Sequence, residues 1–152
     1  MSKNEYEYLV IKSPADLPEW LDMETLAAFL NKVMRPYEDK VPDVERGLRY
    51  ALSHEPGMGG FIVLAVREAQ LVGAVVMLRT GMSGYVPANL LLFIAVVPEL
   101  RSQGIGGRLI EMAKARCDGD IKLHVEHDNP ARRLYERQGF TNKYLEMRFS
   151  NP

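Results

Sequence analysis

At 152 residues, with 47% hydrophobic and 26% charged, the chain is long enough for one filled core and too short for two ordinary domains, so a single domain over 1–152 is expected. A net charge of −1 offers no global basic field, so neither nucleic acid nor a membrane surface is an expected partner. One cysteine excludes an internal disulfide, no spacing calls for a metal, no apolar run nears the roughly 20 residues of a membrane span, and the polar start MSKNEYEY is no signal peptide, which together point to the cytoplasm.

In chain order, residues 7–12 can form a first strand and 13–18 a loop. Asp22 is placed to cap a helix in which Met23, Leu26, Ala27, Leu30, Val33 and Met34 recur at helical spacing until Pro36 approaches. Val44, Leu48, Ala51 and Leu52 predict a second helix, ending before Pro56. Residues 61–66 and 71–78 are rich in β-branched and aliphatic side chains and flank a short polar turn, the pattern of an antiparallel hairpin. The glycine- and proline-bearing stretch 80–88 reads as a mobile loop, and 89–97 as the strand that leaves it.

That strand runs into FIAVVPELRSQGIGG, residues 93–107, where it breaks at Pro98 and re-enters as a glycine-dense turn. A helix over 104–117 follows, with Ile105, Leu109, Ile110, Met112, Ala113 and Cys117 on its apolar stripe, which makes the cysteine buried filler rather than a nucleophile. Gly104, Gly106 and Gly107 allow positive φ and close approach of another molecule, and the first helical amides are unpaired at the positive end of the dipole. A diphosphate suits such a place, with Arg101 as a permanent charge, although a tight strand-to-helix connection alone would also use these glycines. A Walker loop is excluded because Arg108 and Leu109 follow Gly107, and a Rossmann fingerprint because Leu109 stands where glycine is needed.

Beyond the helix, residues 121–126 alternate, with Ile121, Leu123 and Val125 on one face and Lys122, His124 and Glu126 on the other. Asn129 is a good cap, Pro130 a good first residue and Gly139 a good stop for a short helix. Residues 142–150 read as a last strand, with Leu145, Met147 and Phe149 on one face. The order is strand, two helices, three strands, helix, strand, helix, strand. The expected fold is therefore α/β (α+β), a mixed, mostly antiparallel central sheet with helices on both faces and a late β-α-β crossover.

Arg-x-x-Gly-x-Gly at 101–106, preceded by Val-x-Pro from Val96, resembles the acetyl-CoA-binding motif of the GNAT N-acetyltransferase superfamily. HVEHDNPARRLYERQGF, at 124–140 and following Leu123, is similar to that family's second signature of Asn, Ala, Leu-Tyr and Gly-Phe. The resemblance implies a GNAT-like acyl-CoA N-acyltransferase fold and acetyl-CoA as co-substrate, without a metal. It implies that the backbone of Ile94, Ala95 and Val96 meets the pantetheine and thioester. Arg101, Ser102, Gln103, Gly104, Ile105, Gly106 and Gly107 would then hold the pyrophosphate, Asn129 would touch the cofactor, and Tyr135 would protonate the sulfur. Asn129 reads equally as a simple cap, and Tyr135 on helical spacing alone reads as core beside Ala131 and Leu134, a reading the upstream motif turns toward the acid.

A base must deprotonate the amine. The strand NLLLFIAVV carries no carboxylate, whereas His124 stands where ribosomal-protein amino-terminal acetyltransferases hold their acidic base, with Glu126 placed to share or orient the task. The implied function is acetyl transfer from acetyl-CoA to a primary amine, small molecule or protein, by direct attack in a ternary complex. The alternative is a non-catalytic acyl-CoA-binding or regulatory module. The family usually ends in two strands after Gly-Phe, and only residues 141–152 remain here, so the second is missing or supplied by a partner chain, as in a homodimer.

Overall fold

The computed structural model describes residues 5–152; the first four, which open the polar start discussed above, lie outside the described residues. Five strands, β1 (Glu7–Ile11), β2 (Gly60–Arg67), β3 (Gln70–Arg79), β4 (Asn89–Val96) and β5 (Ile121–Leu123), form one sheet in chain order. The first three pairings are antiparallel and β4–β5 is parallel. Helices α1 (Met23–Val33) and α2 (Val41–Ala51) precede β2, α3 (Ile105–Ala115) links β4 to β5, and α4 (Ala131–Arg137) follows β5. The mixed, mostly antiparallel sheet with helices agrees with the expected fold.

The central strands β2 and β3 are apolar almost throughout because helices cover both faces of the sheet. On one side Ile62, Leu64, Val66, Ala74 and Val76 pack with Leu26, Leu30, Val44 and Leu48 of α1 and α2. On the other, Val63, Ala65, Val75 and Met77 pack with Ile105, Leu109 and Ile110 of α3 and with Tyr135 of α4. The β2–β3 turn puts Glu68 and Ala69 at φ 51° and 57°, the two positive values that match hairpin twist. The Asp22 carboxylate accepts the Thr25 N–H at 2.7 Å, capping α1, and the Thr25 side chain first, with that N–H second, holds its pKa below the usual value. Gly47 lets α2 lie close to β4, since a Cβ there would stand 2.5 Å from Leu92 Cδ2.

One irregularity shapes the site. Val76 faces Phe93 and Met77 faces Leu91, so Leu92 is an extra residue in β4. Leu92 and Phe93 consequently both turn to the α1–α2 side, while Leu91 turns to the α3–α4 side. β5 pairs only with Asn89, Leu90 and Leu91, the residues before the bulge.

Two expected strands are corrected. β5 ends at Leu123 rather than running to Glu126, because β4 bulges immediately past Leu91 and offers no straight edge beyond it. Residues 142–150 form no strand: the chain past Phe140 makes no backbone–backbone hydrogen bond, leaving Leu145, Met147 and Phe149 at 86%, 88% and 85% exposure. Alternation describes what side chains suit, whereas a strand also needs an adjacent edge.

Candidate active site

Where β5 departs, β4 carries on alone. From Phe93 to Val96 its β3 side is paired and its other side has no strand partner. The chain then turns through Pro98–Leu100 and Ser102, at φ 66°, to Gly104, which caps α3 in the left-handed region at φ 86°. The first backbone bond of the helix is from Arg108 N–H to the Gly104 carbonyl, 3.0 Å, so the amides of Ile105, Gly106 and Gly107 have no acceptor within the helix. A Cβ at Gly104 would meet nothing within 4 Å; glycine is needed there for its φ alone.

Gly106 and Gly107 have a different purpose. A Cβ on Gly106 would lie 2.9 Å from Leu134 Cδ2, and one on Gly107 3.3 Å from Gln138 Nε2. These two glycines bring α4 against α3, and the Lys114 ammonium adds a bond to the Gln138 carbonyl at 3.0 Å. Tyr135 is thereby set into the α3–α4 cluster beside Leu91 and Ile105, its ring edge-on to Phe140 at 6.0 Å.

Arg101 is tied inward. Its Nε–H donates to the Val96 carbonyl at 3.1 Å and an Nη2–H to the Val33 carbonyl at 3.0 Å. The guanidinium therefore joins the end of β4 to the end of α1, and three of its five N–H donors remain for another acceptor. Gln103 Oε1 accepts from the Tyr6 hydroxyl at 3.3 Å, anchoring the loop to the segment before β1.

Tyr135 is 8% exposed, and burial, with the charge of Glu126 as a smaller cause, pushes its hydroxyl pKa up to about 12. Glu126 and Asn129 are brought together: Asn129 Nδ2–H donates to Glu126 Oε1 at 3.2 Å, while Asn129 Oδ1 accepts the Ala131 N–H at 2.9 Å. The asparagine thus holds the start of α4 and the glutamate at once, with helical residues beginning at Ala131. His124 is exposed just past the end of β5, so the face it was expected to share with Glu126 is not defined by a strand.

Residues that sequence reasoning did not single out complete the surroundings. The Tyr37 hydroxyl, from the α1–α2 connection, donates to the Asp128 carbonyl at 3.1 Å. The Asp39 carboxyl is pushed up by burial, with Asp43 and Glu126 adding to the rise and Arg148 opposing it. A turn of polar residues between two helices carries no spacing that announces such a contact. Cys117 is half-buried, and burial raises its thiol pKa, the opposite of an activated nucleophile.

An αL-capped helix start with free amides, beside a strand edge that has no strand partner, is an arrangement suited to an anionic group in an α/β protein. The Acetyltransferase (GNAT) domain family matches residues 59–142, more than half of the chain, and the chain belongs to that family. No curated protein matches it. Among solved structures it resembles an aminoglycoside acetyltransferase from an uncultured soil metagenomic sample, at 19% identity and a TM-score of 0.67 over 97% of this chain and 99% of that one. It also resembles the aminoglycoside N-acetyltransferase AAC(6')-Iy in complex with CoA, at 12% identity and 0.68 over 97% and 95%. A third is the ribosomal-protein-alanine N-acetyltransferase from Brucella melitensis, at 18% and 0.63 over 97% and 100%. At these identities the likeness speaks for the fold. No helix among the described residues is long and apolar enough to cross a membrane.

Proposed function

We propose that the chain transfers the acetyl group of acetyl-CoA to a primary amine by direct attack in a ternary complex. The observation that carries this reading is the convergence, where β4 parts from β5, of a free strand edge, the unpaired amides at the start of α3, and Tyr135 with Glu126 nearby. The site suits acetyl-CoA: the α3 amides fit a diphosphate, and the edge over 92–96 fits the amide-bearing pantetheine.

Acetyl-CoA supplies a thioester carbonyl; the amine nitrogen forms the new C–N bond as the C–S bond breaks. An amine near its usual pKa of about 10.4 arrives protonated and must lose that proton first. Glu126, held by Asn129, is our candidate to take it, directly or through water. His124 has no such support. Tyr135 donates to the departing sulfur. A phenol pushed to about 12 is a weaker acid than a thiol near about 8.5, so its main contribution is a hydrogen bond, with the proton passed on only as another replaces it.

Asp39 stands in the field of both Asp43 and Glu126, and an acidic surround of this kind favours a cationic acceptor. The test is calorimetry with acetyl-CoA together with CoA release across a panel of polyamines, aminoglycosides and peptides. We expect binding, amine-dependent turnover, and a Tyr135→Phe variant that still binds but loses roughly 10²- to 10⁴-fold in kcat. A folded wild type that ignores acetyl-CoA sinks the proposal; binding without turnover on any amine returns the chain to the role of a binding module.

A further inference from the structure

At the end of the sheet opposite the glycine loop lies a cavity of about 230 Å³. Its walls come from four elements: Lys12 follows β1, Gly60 and Phe61 open β2, Arg79 closes β3, and Ala115 and Arg116 end α3. Antiparallel pairing gathers the three strand ends, since Ile11 faces Ile62 and Gly60 faces Leu78. Val96, where β4 leaves for the glycine loop, pairs instead with Gly73 near the other end of β3. The length of α3 separates the two places by about 15 Å.

Three of the six lining residues are cations and none is an acid, in a chain whose net charge is −1. Among the described residues Lys12, Arg79 and Arg116 take part in no ion pair. The Asp16 carboxylate, close to Lys12 in the chain, instead accepts the backbone N–H groups of Lys12 and Ser13 at 2.9 and 3.2 Å. Arg79 is fixed at its root: its N–H donates to the Gly59 carbonyl at 2.8 Å, and its own carbonyl accepts the Tyr50 hydroxyl at 2.8 Å. A Cβ on Gly59 would stand 3.5 Å from Arg79 Nη1, which puts the guanidinium over the entry to β2. Burial raises the Cys117 thiol pKa and the Arg79 charge opposes that rise, so the same guanidinium is felt at the end of α3.

Cations that share a cavity repel one another, and an anion among them turns the repulsion into attraction. A phosphate offers a separate oxygen to each of three donors arriving from different elements, whereas a carboxylate is planar and has two. The carbonyl end of α3 adds about half a charge of the wrong sign, which three whole cations outweigh. A water takes about 30 Å³ of liquid volume, so the five heavy atoms of a phosphate leave part of the cavity for a small organic group beside Phe61 and Ala115. We infer that this cavity is a second binding site, separate from that for acetyl-CoA, which takes a small phosphomonoester and holds its phosphate with Lys12, Arg79 and Arg116.

Amide NMR on the full chain at constant ionic strength resolves the two anion-accepting places. Inorganic phosphate and glycerol 3-phosphate are expected to shift the amides of Lys12, Gly60, Arg79 and Arg116 with a dissociation constant of about 1 mM or lower. Succinate, a dicarboxylate probe, should bind there more weakly. The double variant Arg79→Gln/Arg116→Gln should weaken this response at least about tenfold. Its melting temperature, and any response of Gly106 and Gly107 at the start of α3, should match the wild type, because neither guanidinium has an ion pair to lose. Amides around the cavity that stay still up to about 20 mM phosphate overturn the proposal, as does a double variant that responds like the wild type. Succinate binding more tightly than glycerol 3-phosphate overturns the assigned ligand class.

Discussion

At Gly60 the backbone has φ 156°, and an added Cβ would stand 1.9 Å from the Met77 carbonyl oxygen, inside any permitted contact. Gly60→Ala should therefore push β2 off β3 and cost roughly 3–5 kcal/mol, read as a collapse of the denaturation midpoint. Gly104→Ala has open space around it and meets only the left-handed backbone penalty, about 1 kcal/mol, so its melting temperature should fall by a few degrees. The two substitutions look alike in the sequence. What distinguishes them is the neighbour: a carbonyl 17 residues away for one, solvent for the other. Arg101 makes the same point, because its position in a glycine loop is plain from the motif while the direction of its guanidinium depends on the Val33 carbonyl, 68 residues earlier.

Among the elements, α1, α3 and the β2–β3 hairpin were legible because each is determined locally: a cap that bonds its own first turn, an apolar stripe, a turn between two apolar runs. The end of β5 and the fate of residues 142–150 were not, since both depend on whether an edge is on offer. The site divides in the same way. The helix start and Tyr135 followed from motifs, whereas the approach of Tyr37 and Asp39 to the segment after β5 is a product of packing. Joining α1 to β4 is the task of one side chain, so Arg101→Lys, which retains charge but loses the two-way fork, should loosen that junction. We expect a melting temperature lower by several degrees, about 1–2 kcal/mol, and a KM for acetyl-CoA raised several-fold with a smaller change in kcat.

Over the whole molecule, the sheet separates two cores, and Leu64 and Leu109 are fully buried on opposite sides of it. Each Leu→Ala change should cost about 2–5 kcal/mol, and the double variant should approach the sum, because the cavities share no wall. Alkali should act on the fold through Tyr135. With its folded pKa near 12 and an unfolded value of 10, the unfolded chain ionises first as pH rises. The stabilisation is whole below pH 10 and is lost on the way to 12, up to roughly 3 kcal/mol, a loss that Tyr135→Phe should blunt in a urea series across that range. The extra residue in β4 reaches beyond stability. It puts the strand out of phase with itself, so that odd positions face one core before Leu92 and the other after it. Counting forward from Asn89 against an unbulged relative would then assign each role between Phe93 and Val96 to the wrong neighbour, unless a one-residue gap is opened at Leu92.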